Sequence, residues 1–62
     1  MSLNLKANIK NPDDFYQKLI DAQRDLSEDE IQLMNAKLIL VLANHIGEAG
    51  VLDQALEVAS EQ

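Results

Sequence analysis

The apolar positions of this chain change period along its length. Leu3, Leu5, Ala7 and Ile9 alternate with Asn4, Lys6, Asn8 and Lys10, a period of two that predicts an extended segment. From Asn11 the spacing turns helical: Phe15, Leu19, Ala22 and Leu26 fall on one side, with Tyr16 and Ile20 on its flank, which predicts a first helix running to about Asp25. In Ile31 to Ile46 the apolar residues cover roughly three quarters of a helical circumference, and Glu30, Lys37 and Asn44 mark the clear polar edge. A helix of that kind must be covered on several sides. Val51, Leu52, Ala55, Leu56 and Ala59 give a third, shorter helix from about Val51 to Ser60, with Asp53 and Glu57 outward.

The boundaries carry their own chemistry. Asn11 before Pro12 suits a helix start, because an Asn side chain can accept from free N–H groups and a first-turn proline has no N–H to lose, while Asp13 and Asp14 meet the positive end of the helix dipole. Ser27 with Glu30 three residues on predicts a capping box, flanked by Leu26 and Ile31 as a hydrophobic staple. That signature puts a tight corner between the first two helices, so they form a hairpin. Gly47 is the residue expected where the second helix ends in a left-handed turn, leaving Glu48-Ala49-Gly50 as a short link. The expected organisation is therefore an extended N-terminal arm over residues 1–10 and an all-α, three-helix domain over residues 11–62. Met1-Ser2-Leu3 looks like a vector-derived leader, so the arm is read as partly foreign and laid over a helical groove or frayed; strand addition to a partner's sheet edge, or to the arm of a second copy, is the sharper alternative.

Size adds a constraint. At 6.9 kDa the chain exposes roughly 10,000 Å² unfolded and should expose about 4,000 Å² as a compact monomer. If ~60% of the ~6,000 Å² removed from water is apolar, burial contributes about 90 kcal/mol, against roughly 93 kcal/mol of conformational entropy. The two terms cancel. With 62 residues, one Phe, one Tyr, no Trp and no Cys, neither a larger core nor a disulfide tips the balance, and association is the remaining source of buried area.

Eleven acidic residues against five basic ones give a net charge of −6, and no cation follows Lys37. Such a chain repels phosphate backbones and anionic lipids, so neither nucleic acid nor membrane is expected as a partner. The absence of cysteine is compatible with either redox compartment. Its longest unbroken apolar run, Leu38 to Ala43, is far short of a membrane span of about 20 residues, and no N-terminal leader with a charged and apolar region is evident, so a soluble cytoplasmic protein is expected.

Candidate chemistry is sparse. Paired Asp13 and Asp14 are explained by the helix start, and the acidic group Asp25, Glu28, Asp29 and Glu30 lacks the spaced ligands and mid-loop glycine of a calcium loop. His45 stands alone, in the last turn of the second helix, where a cation can interact with free carbonyls and Glu48 is within reach as a partner; a metal or ligand contact across an oligomer axis and general-base work are the weaker readings. Asn35, among Ile31, Leu38 and Leu42 on the helical wheel, reads as a register-setting polar residue. The Gly-containing turn before the third helix has the outline of a DNA-binding helix-turn-helix, but its second helix is acidic. No phosphate loop, serine elbow, cysteine pair or His-Glu metal motif occurs. No enzyme activity, no cofactor and no metal are expected.

Asn11 to Tyr16, Leu19 to Ala22, Leu26-Ser27 and above all Asn35-Ala36-Lys37-Leu38-Ile39-Leu40-Val41-Leu42-Ala43-Asn44-His45-Ile46-Gly47 resemble a family of short bacterial proteins, domain-of-unknown-function family 2783, over nearly the whole chain after residue 10. The resemblance implies a small bacterial cytosolic helical protein, loosely associated with genes of flavin-dependent oxidoreductases. The family defines no catalytic residue, so none carries over.

The preferred functional expectation is a small helical interaction module that self-associates as a homodimer through the central helix. The alternative is an accessory subunit that caps a larger enzyme, such as a flavin-dependent oxidoreductase. The interface follows by elimination. The staple places the first helix over Ile31, Met34 and Leu38, and a returning third helix most easily covers Ile39, Ala43 and Ile46, which leaves Leu33, Ala36 and Leu40 within roughly 60° of the wheel for the partner.

Overall fold

The computed structural model describes residues 2–61 as an all-α chain; Met1, expected above to belong to a leader, and Gln62 lie outside them. Three helices follow in order, α1 (Pro12–Gln23), α2 (Glu28–Ile46) and α3 (Ala49–Ser60). Residues 2–11 precede α1 outside any helix or strand, and the Leu3 N–H donates to Oε1 of Gln54 at 2.8 Å, bringing the start of the chain onto α3.

The α1–α2 corner follows the capping chemistry. Ser27 is extended, its Oγ accepts from the Glu30 N–H at 3.2 Å, and its own N–H donates to Oε1 of Glu30 at 2.9 Å. Both bonds of the box are formed. The bond from the Ser27 N–H, and after it the Ser27 side chain, hold the Glu30 carboxyl below its ordinary value of 4.5. A carboxyl lowered in the folded state stabilises the fold above its unfolded value, and that contribution is lost as pH falls through the lowered one. Ser27→Ala is therefore expected to cost about 1 kcal/mol and several degrees of melting temperature, Ser27→Asp little, and Glu30→Gln to flatten the loss of stability on acidification below the ordinary glutamate range. Thermal melts across that pH range check all three; equal melting of wild type and Ser27→Ala would refute the cap.

Three local expectations need correction. The Asn11 side chain makes no capping bond: with ψ at 75° it is not in the extended geometry of Ser27, and the first turn of α1 is instead closed by the Asn11 carbonyl, which accepts from Asp14 and Phe15. Next, α1 stops at Gln23, two residues before Asp25, because Arg24 is extended and Asp25 turns left-handed at φ 69°. A short polar side chain tolerates that region, so the reversal needs no glycine. Finally, Glu48-Ala49-Gly50 is no link but the start of α3, where the Glu48 carboxylate accepts from the Gly50 N–H at 3.2 Å. That bond takes the Glu48 carboxylate to Gly50, and among the described residues no ion pair joins it to His45. Gly47 behaves as expected, left-handed at φ 68° with its N–H donating to the Ala43 carbonyl at 2.9 Å.

Packing is open. Leu19, Gln23 and Leu26 are half-buried together with Ile31, Met34 and Leu38, so α1 lies over the expected side of α2 near the corner. Phe15, expected in the core, is 48% exposed, and Ala22 is exposed as well. Asn35 is exposed and its Oδ1 accepts from Nε2 of Gln23 at 2.7 Å, tying α1 to α2. Val51 is the one fully buried residue among those described. The Cα radius of gyration is 13.4 Å, where a compact chain of this length has about 10.6 Å.

Candidate interaction surface

An apolar groove of about 460 Å³ lies between the second half of α2 and α3. From α2 it takes Ile39, Leu42, Ala43 and Ile46, and from α3 Leu52, Ala55, Leu56 and Ala59. Both sets have the spacing i, i+3, i+4, i+7, which on an α-helix is a single stripe, so two apolar stripes face one trough. Ala43, Leu52 and Ala55 are half-buried and form its floor, while Ile39 and Leu56, 64% and 69% exposed, stand up as its walls. No charged side chain lines it.

This arrangement corrects the expected role of α3 and of its own apolar face. The third helix reaches Ala43 but leaves Ile39 and Ile46 uncovered, and Leu56 and Ala59, expected inside, are exposed. Where small residues meet at the crossing, the helices touch there and their larger neighbours have nothing opposite them. The elimination that singled out Leu33, Ala36 and Leu40 presumed that Ile39 and Ile46 were covered. Those three residues are exposed, Leu40 by 69%, and α1 and α3 leave that face of α2 open. Leu33 also opens onto a smaller hollow of about 270 Å³ beside Leu26 and Met34, rimmed by Glu30 and Lys37. Sequence periodicity contained the groove residues, since each stripe was visible, but not that the two stripes would lie side by side with nothing over them.

The chain exposes 5806 Å², about 1,800 Å² more than the ~4,000 Å² of a compact monomer of 6.9 kDa. Among the described residues no group of three or more His, Cys, Asp and Glu side chains could hold a metal ion, and no helix is long and apolar enough to cross a membrane.

Fold and surface together define a small all-α domain that displays apolar area instead of enclosing it. The chain belongs to the family described as Protein of unknown function (DUF2783), whose model matches residues 3–61 and so includes the segment before α1. No curated protein and no solved structure matches it.

Proposed function

We propose that this protein is a non-enzymatic, cytoplasmic interaction module that works as a homodimer. The observation that supports this reading is the ~1,800 Å² of surplus surface, which exceeds the ~800 Å² per partner of a standard interface and falls in the range of permanent ones. An open chain with one buried side chain among those described has little core of its own, so a permanent partner supplies the missing burial. A second copy is the partner present whenever the chain is made. With a net charge of −6, nucleic acid and anionic membrane surfaces are not proposed partners.

Sedimentation and light scattering test the reading. The expected mass is twice 6.9 kDa, and each tenfold dilution should lower the melting temperature by a few degrees, since unfolding then includes dissociation. A well-folded monomer with concentration-independent melting would overturn it. A partly molten chain that gains fixed structure only with a larger enzyme would move the role to that of an accessory subunit.

A further inference from the structure

We infer that the α2–α3 groove is the dimer interface and that its occupant is the same groove of a second copy, the two hairpins closing into a four-helix bundle. This rests on the self-association proposed above and names its site. Two adjacent helices each presenting an i, i+3, i+4, i+7 apolar stripe are half of such a bundle, whose other half must present the same pattern. A two-fold axis supplies it, because an isologous interface pairs a patch with itself. The patch is self-complementary in shape: Ile39 and Leu56 project, Ala43, Ala55 and Ala59 leave room, and knobs of one copy can enter the hollows of the other. It is also compatible in charge. Each copy carries −6, yet the groove lining holds none of it, so docking two copies buries no like charges. Doubling the ~1,800 Å² surplus gives up to about 3,600 Å², within the range of permanent homodimers, and the groove is an open apolar part of that surplus.

Leu56 makes the test clean, because at 69% exposure its side chain contributes little to packing within one chain. Light scattering over a concentration series should show Leu56→Lys weakening the dimer by about 100-fold, with Leu40→Lys on the neighbouring open face of α2 changing it only a few-fold. A second measurement covers the case in which the dissociated variant unfolds. The chain has no cysteine, so Leu56→Cys treated with a short bis-maleimide reports proximity across the axis, and a covalent dimer at unchanged helix content is expected. A dimer broken by Leu40→Lys but not by Leu56→Lys, or a dimeric Leu56→Cys protein that does not cross-link, would overturn the groove as the interface and leave self-association standing. A well-folded wild-type monomer would overturn both.

Discussion

Replacing Val51 with aspartate is expected to remove about half or more of the stability of this chain and to lower its melting temperature by well over ten degrees. Val51 is 8% exposed and is the one buried side chain among the described residues. The substitution forfeits roughly 1.5–3 kcal/mol of valine burial and places a carboxylate where no partner awaits it, for a total of about 4 kcal/mol or more. At ~0.05–0.15 kcal/mol per residue, a chain of 62 residues has roughly 3–9 kcal/mol of stability in all, so the loss takes from about half of it to the whole. Val58→Asp is the control: same residue type, same helix, but 43% exposed, with an expected cost below about 1 kcal/mol. Circular dichroism melts of the two variants side by side check it. Equal melting would mean that burial at Val51 is not what secures α3.

Gly47→Val is expected to cost about 2–3 kcal/mol, and the reason is torsional instead of steric crowding. A Cβ at this position would meet the Asn44 carbonyl oxygen at 3.6 Å, an ordinary contact, so there is room. At φ 68°, however, a β-branched side chain is forced into a region it almost never occupies. Gly47→Asn should cost much less, because Asn tolerates left-handed backbone. The expected order of melting temperatures is wild type, then Asn, then Val. Valine as mild as asparagine would show that the turn relaxes away from the left-handed region. The consequence reaches the surface as well, since Gly47 sets the angle at which α3 leaves α2 and with it the width of the groove; Gly47→Val should therefore also weaken the dimer.

What could be read without coordinates was governed by short-range chemistry. Ser27, Glu30 and Gly47 each act through hydrogen bonds or backbone angles within four residues, and all three behave as their types require. Even locally, legibility ended where the usual residue was absent. Glu48 caps α3 although glutamate is not among the preferred caps, Asp25 makes a left-handed turn without glycine, and Asn11 fails to cap because its backbone does not extend. The apolar excess of Ile31 to Ile46 was equally plain in the chain, since hydrophobic periodicity records how much of a helix must avoid water. It does not record what covers each side. Leu56 and Ala55 belong to one stripe of α3, yet one projects and the other lies on the floor, and Ile39 stays bare beside a half-buried Ala43. Those outcomes depend on where α3 crosses α2, which is decided by the few small side chains that let the two backbones approach and by the angle at Gly47. The helices and their ends are properties of neighbouring residues; the groove exists only because residues from two helices, spaced alike but far apart in sequence, come to lie on either side of one crossing.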